Sequence, residues 1–227
     1  MEKLNKNLII IGEGELAEIA YEYFTHDSPY TVIAFSIEKD YLTKSELFDL
    51  PIIPFEELEK IYPPSKFVAF VAIAYSKLNR VRTRLYQKVK EKGYSLVSYV
   101  SSKAFVWHNV EIGENCFIFE NNVIQYHVKI GNNVILWSGN HIGHRSQIHD
   151  NCFISSHVVI SGSCDIGESS FLGVNSCLND KIKIGNDCVI GSGAVIIKDT
   201  DPGKVYVGNP AKFISKSSYE AFEISED

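Results

Sequence analysis

Residues 112–154 read IGENCFIFENNVIQYHVKIGNNVILWSGNHIGHRSQIHDNCFI. An aliphatic side chain returns every six residues, and the register extends in both directions without a slip. Stepping by six meets Val100, Val106, Ile112, Ile118, Ile124, Ile130, Leu136, Ile142, Ile148, Ile154, Ile160, Ile166, Leu172, Leu178, Ile184, Ile190 and Ile196, seventeen in all. Ile, Leu and Val make up roughly a fifth of ordinary sequence, so chance does not produce such a run. A six-residue unit is too short for a helix pair and too long for bare strand alternation. It fits a short strand followed by a tight bend.

The other positions of the unit agree. The residue after the aliphatic is often glycine (Gly113, Gly131, Gly143, Gly167, Gly173, Gly185, Gly191), and the third after it is often Asn or Asp (Asn115, Asn121, Asn133, Asn151, Asn175, Asp187). These types tolerate the left-handed backbone that bends need. Two residues before the aliphatic the side chain is small or β-branched, and Cys116, Cys152, Cys164 and Cys188 all fall there. They read as small interior hydrophobes; Cys177 is off this register and is expected nearer the surface. Three units close a triangular coil of eighteen residues, so residues eighteen apart lie above one another. No proline occurs between Pro64 and Pro202, as uninterrupted strand ladders require.

The first hundred residues have a different rhythm. Apolar strand patterns at 7–11, 31–35 and 67–74 alternate with helical patterns at 15–24, 55–61 and 79–92. In the last of these Val81, Leu85 and Val89 share one face. Strand–helix alternation predicts a small parallel α/β domain. A turn of Gly12, Glu13 and Gly14 joins the first strand to the first helix, where a phosphate could be seated. The full G-x-G-x-x-G is absent, because Ala17 stands at its last position, so NAD is not expected.

Bulk properties narrow the classes. The chain has 227 residues, 45% hydrophobic and 22% charged, with net charge −6 and no dense Lys/Arg run. That predicts a globular protein that does not bind nucleic acid. The longest apolar stretches, 8–11 and 67–75, are too short to span a bilayer. No leader-type cleavage site precedes the first strand, and the five cysteines contain no CxxC pair. The expectation is a cytoplasmic protein with reduced thiols and no metal site.

The aliphatic–Gly–x–x–small–x pattern resembles the left-handed β-helix of hexapeptide acyltransferases. The segment IGSGAVIIKDTDPGKVYVGNPAKFI, residues 190–214, is similar to the close of that superfamily's helices. With an α/β domain joined directly to the helix, the whole chain resembles the bacterial sugar acyltransferases that include nucleotide-linked amino-sugar N-acetyltransferases and sialic acid O-acetyltransferases. The expected fold is a small N-terminal Rossmann-like parallel α/β domain over residues 1–99, binding nucleotide sugar. A left-handed parallel β-helix of hexapeptide repeats over 100–202 would be the acyltransferase domain, and 203–227 would close the helix. Ordinary crossovers are right-handed, so the opposite hand is implied by the resemblance and not by the period.

The resemblance implies acetyl-CoA as acyl donor, a nucleotide-sugar partner and a homotrimer with active sites between subunits. Registering the chain on the group's pattern puts His144 on the catalytic histidine, at an outward bend, as general base. Gly162, one coil above, is implied as the amide facing the acetyl carbonyl, an oxyanion donor. Substrate contacts are expected from Gly12, Gly14 and Glu38 in the α/β domain, and from Asn140, His141 and Arg145 beside His144. For Asn140 an interior amide ladder with Asn122 is the alternative. Gly162, Gly173, Gly191, Ala194, Gly208, Asn209, Pro210 and Lys212 are expected to border the acyl-CoA. Three positions depart from the group's usual residues: Trp137 for Asn, Arg145 for an acid and Phe153 for His. The expected activity is acetyl transfer to a nucleotide-linked amino sugar, UDP- or dTDP-bound and of the 4-amino-6-deoxy type, for surface glycans. The alternatives are O-acetylation of a sugar or sialic acid and a non-catalytic trimeric scaffold.

Overall fold

The structure, a computed structural model, describes residues 6–224. The chain divides into two compact units: residues 1–74 with Val81–Tyr99, and Tyr75–Arg80 with Val100–Asp227.

The first unit is built on β1 (Lys6–Ile11), α1 (Glu15–His26), β2 (Tyr30–Ile37), β3 (Glu46–Leu47), β4 (Leu50–Pro54), α2 (Leu58–Ile61), β5 (Val68–Val71), α3 (Arg80–Glu91) and β6 (Ser95–Leu96). The strands lie in the order β3-β4-β2-β1-β5-β6, all parallel except the β3–β4 hairpin. The central strands β1 and β5 carry continuous apolar runs because both faces are covered. Leu85 and Val89 of α3 are buried against this sheet with Ile9, Ile11, Ala69 and Val71. The hairpin is an element that the periodicity did not predict. It turns through Phe48 and Asp49, both at positive φ, as a two-residue hairpin requires. Its strand β4 carries Pro51 and Pro54, which mask it in sequence.

The second unit is a left-handed parallel β-helix. Each six-residue unit forms a two-residue strand, and each strand pairs in register with the one eighteen residues on, for example Phe117 with Ile135, and Ile135 with Phe153. The ladders make three sheets. From Ile118 to Ile196 every aliphatic of the six-residue register is at most 3% exposed, forming one continuous core. Burying each such side chain contributes about 1.5–3 kcal/mol. At the start of the run the column is still open, and Val100 is 37% exposed.

The corners close as the residue types suggested. Asn115, Asn133 and Asn151 adopt positive φ, and their side-chain amides bond up the stack at 2.8 Å each before ending on Glu168. Cys116, Cys152, Cys164 and Cys188 are buried. Burial pushes the thiols of Cys164 and Cys188 up, away from the reactive thiolate. Cys177 is half-buried on an outer face.

The outward positions distinguish the three faces. One carries Glu111, Lys129, Gln147, Asp165 and Lys183 and is polar. A second carries Phe105, Val123, His141, Val159, Cys177 and Val195, with Phe105 53% and Val159 42% exposed. The third carries Phe117, Ile135, Phe153, Phe171 and Val189. From Phe153 to Val189 this third face is covered by the unit's own chain. Tyr75 packs edge-on against Phe153 and Phe171, and Leu78 lies with Val189, Val205 and the tail residues Ala221, Phe222 and Ile224. Arg80 and Tyr219 both bind Asp187. The segment Tyr75–Arg80 therefore belongs to the helical unit, although in sequence it lies within the first hundred residues.

Candidate functional site

Residues eighteen apart along one corner of the β-helix form the column His108, Tyr126, His144, Gly162, Asp180 and Lys198. Tyr126 and His144 are exposed and stack with rings parallel within 6° and centroids 5.7 Å apart. The His144 ring lies over the Cα of Gly162: a β-carbon there would stand 2.7 Å from Nε2 and closer still to Cε1. Glycine at 162 is thus what lets the imidazole lie flat along the corner. The backbone N–H of His144 donates to Gln125 Oε1 at 2.8 Å, and Nδ1 is 3.4 Å from the same oxygen. That long contact is to a neutral amide oxygen, and the next residue is Arg145 in place of an acid. The guanidinium of Arg145 rests over the Tyr126 ring, 5.6 Å from its centroid.

The amide of Gly162 is not free. It donates to Asp180 Oδ1 at 2.8 Å, which corrects the expectation of an open oxyanion donor. The arrangement is regular in this helix: the corner amides of Glu114, Asn132 and Glu168 are likewise capped by Asn132, Asp150 and Asn186 from the coil above. Each cap satisfies a donor the bend would otherwise leave bare. Asp180 was missed in the sequence reading, although counting eighteen from Gly162 reaches it.

Other expected residues sort plainly. His141 is half-buried on the second face, between Val123 and Val159. Asn140 is 1% exposed; its amide donates to Trp137 O and its oxygen accepts from Val158 N. It is an interior corner residue and not a substrate contact, because all its polar capacity is turned inward. Ala194, at 0% exposure, is core. Gly173 is buried with its amide on Ile190 O. A β-carbon there would stand 2.6 Å from Ser192 N, so this glycine serves close coil stacking. The amide of Gly191 donates to Tyr206 O, and its α-carbon is crowded by Val207. Ala194 is thereby corrected from a cofactor contact to core, and Gly173 and Gly191 spend their amides on coil stacking.

Trp137 stacks on Phe119 at 4.5 Å and 10°. Phe153, 2% exposed, stacks on Phe171 at 5.5 Å and 9°. Both departures from the usual pattern are packing residues of the third face.

Three coils above His144, a cavity of about 590 Å³ is lined by Ile196, Ile197, Lys198, Asp199, Tyr206, Pro210, Ala211, Lys212 and Phe213. Such a volume suits a drug-sized ligand. Pro210 and Lys212, expected at the acyl-CoA, are in its wall. Gly208 and Asn209 are exposed beside it, where Gly208 O accepts from Val195 N. Ladder spacing puts the Lys198 level roughly 14 Å from the His144 level.

In the α/β unit, Gly12 has φ +133, and a β-carbon would stand 2.8 Å from Ala72 O. Only glycine fits at this close approach of two strand ends. Gly14 begins α1 and faces open space. Glu38, expected to meet the substrate, has both carboxylate oxygens engaged. Arg84 grips it in a bidentate pair at 2.5 and 2.7 Å, and Lys88 adds a contact at 2.9 Å. The Arg84 hydrogen bonds, with Lys88 behind them, hold its pKa at about 2 against the opposing effect of burial. Arg84 and Lys88 of α3 thus fill three of the roughly four acceptor sites of this carboxylate.

Among the described residues no helix is long and apolar enough to cross a membrane.

Residues 127–162 and 163–198 match the bacterial transferase hexapeptide family, six repeats to each match. No curated protein shows significant sequence similarity to the chain. Solved structures share its fold. The acetyltransferase domain of PglB from Neisseria gonorrhoeae superposes with TM-score 0.82 at 26% identity, covering 92% of this chain and 100% of that one. PerB from Caulobacter crescentus, in complex with CoA and GDP-perosamine, superposes with TM-score 0.81 at 25% identity over 92% and 97%. WeeI from Acinetobacter baumannii shares the fold at 21% identity and TM-score 0.77, over 92% and 100%.

Proposed function

We propose that this hexapeptide-repeat chain, which groups with the sugar acyltransferases of that repeat type, is an acetyl-CoA-dependent N-acetyltransferase acting on a nucleotide-linked amino sugar. The observation that carries the proposal is the His144 corner. An exposed imidazole lies flat over Gly162, and the same column leads to a cavity walled by Pro210 and Lys212. That distance suits the flexible arm of coenzyme A, with the nucleotide held in the cavity and the thioester beside His144. Likeness to PerB, crystallised with CoA and GDP-perosamine, and to PglB, crystallised with acetyl coenzyme A, supports the choice of donor and acceptor class.

In this reading the sugar amine attacks the thioester carbonyl. His144 accepts the amine proton, and coenzyme A leaves as the thiol. His144 has no carboxylate partner among its described contacts, so its ring is positioned by Tyr126 and Gln125. An amine that is already neutral needs less help from a base than a hydroxyl, which favours N- over O-acetylation. Arg145 is placed to meet an anionic group of the substrate. The α/β unit, with Gly12 and Gly14 at the strand ends, takes the nucleotide. The base is carried as UDP, dTDP or GDP, the first two from the sequence resemblance and the third from PerB.

The exposed apolar face of Phe105, Val123 and Val159 fits burial against further copies, and we assign a homotrimer with sites between subunits. A cytoplasmic location follows from the two co-substrates.

The test is thiol release from acetyl-CoA with a panel of UDP-, dTDP- and GDP-linked amino sugars and matching sugar alcohols. Release with an amino sugar, lost in His144→Ala, supports the proposal. Release only with sugar alcohols replaces it by O-acetylation. Release with neither leaves the scaffold reading.

A further inference from the structure

Aromatic side chains are left in water along one corner of the β-helix, in the two coils beneath His144. Phe105, Trp107 and Tyr126 are 53%, 45% and 38% exposed. Trp107 contacts Phe105 with ring centroids 6.0 Å apart and His108 at 5.4 Å. His108 lies below Tyr126 in the His144 column. Above the indole the side chains shrink: from Trp107 upward the adjoining column runs Gln125, Gly143 and Ser161. Trp107 is therefore the floor of a ledge, two ladder steps or roughly 10 Å below the level of His144. The other tryptophan, Trp137, is packed on Phe119. An exposed indole is apolar area that is stabilised when a ligand covers it.

Charge changes along the same corner. Segments 105–109, 125–129 and 143–147 contain no Asp or Glu, in a chain of net charge −6, and hold His108, His127, Lys129 and Arg145 beside His144. Lys129 is paired with Glu111 at 3.2 Å. Arg145 meets no carboxylate among its described contacts and rests on the Tyr126 ring. Higher in the helix carboxylates return, at Asp165, Asp180 and Asp199. An aromatic floor with a cationic rim suits a ligand that joins a ring with apolar faces to an anionic group.

The direction of approach decides which ring. The cavity walled by Pro210 and Lys212 lies above His144, so the acyl donor of the proposed reaction comes down the column past Asp180 and Gly162. The acceptor has to reach the imidazole from below. In a nucleotide-linked amino sugar the hexose carries the reacting amine, and the diphosphate separates it from the base. The hexose is thus the part that falls within two ladder steps of His144. A pyranose presents C–H groups on its faces, and an aromatic side chain covers these without stranding a hydroxyl.

We infer that Trp107 and Tyr126 seat the hexose of the acceptor, its diphosphate toward Arg145, so that sugar preference is set at this corner of the β-helix. The inference rests on the proposed amino-sugar N-acetyltransferase activity.

The experiment reads tryptophan emission and steady-state kinetics on the full chain as wild type, Trp107→Phe and Trp107→Ala, with circular dichroism and light scattering for each. The probes are UDP-, dTDP- and GDP-linked amino sugars, the matching nucleoside diphosphates and acetyl-CoA. In wild type a sugar nucleotide should shift the emission to the blue as the indole leaves water. Nucleoside diphosphate alone and acetyl-CoA alone should leave it in place. Trp107→Phe keeps Trp137 and should lose the shift. Trp107→Ala should raise KM for the sugar nucleotide roughly five- to a hundredfold, with kcat and the KM for acetyl-CoA within threefold of wild type. Trp107→Phe should fall between. Turnover of an amino sugar that produces no shift overturns the inference alone. So does a shift produced by nucleoside diphosphate, which puts the base on the indole, or an unchanged sugar-nucleotide KM in Trp107→Ala. A lower scattering mass for Trp107→Ala makes the indole an interface residue and also overturns it. A shift without thiol release upholds the sugar seat while overturning the proposed activity. Absence of both with every amino sugar overturns the inference together with the proposed function.

Discussion

Gly162→Ala separates stability from catalysis at the corner that carries the proposed chemistry. A β-carbon at 162 would fall 2.7 Å from His144 Nε2, well inside van der Waals contact, so the ring must leave its place. The fold can bear that. His144 is exposed, and Gly162 is not at positive φ. Alanine there costs no backbone strain, and it reduces unfolded-state entropy by about 0.4–1 kcal/mol. Against this stands the lost stacking of His144 on Tyr126, about 0.5–1.5 kcal/mol for an aromatic pair. The net change in stability should lie within about 1 kcal/mol of zero. The chemistry cannot bear it. A displaced general base forfeits a factor of about 10²–10⁴, equivalent to about 3–5 kcal/mol in the barrier. The assay pairs urea unfolding with thiol release from acetyl-CoA in the presence of the amino-sugar acceptor. A variant with unchanged unfolding midpoint and a rate down by two orders of magnitude or more is the expected result. A rate within threefold of wild type would refute the reasoning, because it would mean that the flat placement of His144 over Gly162 is irrelevant to turnover.

Asp180→Ala leaves the buried Gly162 amide without its cap and should cost about 1 kcal/mol, whereas Asp180→Asn keeps an acceptor and should unfold like wild type; urea titration of both checks this. Glu38 titrates at about 2 in the fold and near 4.5 unfolded. Its ion pairs therefore stabilise the protein fully above about pH 4.5, and the contribution is lost as pH falls toward 2. With Arg84 and Lys88 each 44% exposed, screening limits it to about 1–2 kcal/mol. The gap between wild type and Glu38→Gln should be present at pH 7, narrow below about pH 4.5 and close only below about pH 2; a gap independent of pH contradicts the pairing. Val159→Lys puts a charge on the exposed apolar face and should shift the light-scattering mass from that of the proposed trimer toward monomer without unfolding the chain; an unchanged mass would place the interface elsewhere.

Much of the architecture was legible in residue order because a β-helix is a short-range repeat. Burying one aliphatic per six residues leaves little freedom of register. The same period marks the bends by their Asn and Gly and sends four cysteines inside, so Ile118 through Ile196 could be placed before any coordinate was known. Gly12 was legible as a turn glycine, but the approach of Ala72 O that excludes any β-carbon there came only from the structure. The exposed position of His144 followed from its place at a bend.

What the tertiary structure decided are the partners. Asn140 and Ala194 share the local pattern of site residues, yet both face the core. Gly162 looks like a free amide until Asp180 arrives from the coil above. Glu38 looks like a free carboxylate until α3 brings Arg84 and Lys88 across forty-six and fifty residues. Tyr75–Arg80 sits among α/β residues in sequence and packs on the helix, where Phe153 and Phe171 receive it. The six-residue period by itself determined the β-helix and the outward corner that holds His144, since every step of that argument is local and repeated. Which polar groups stay free for chemistry was settled only in three dimensions, because a hydrogen bond is consumed by whichever partner lies nearest in space, and no period in the sequence records that partner.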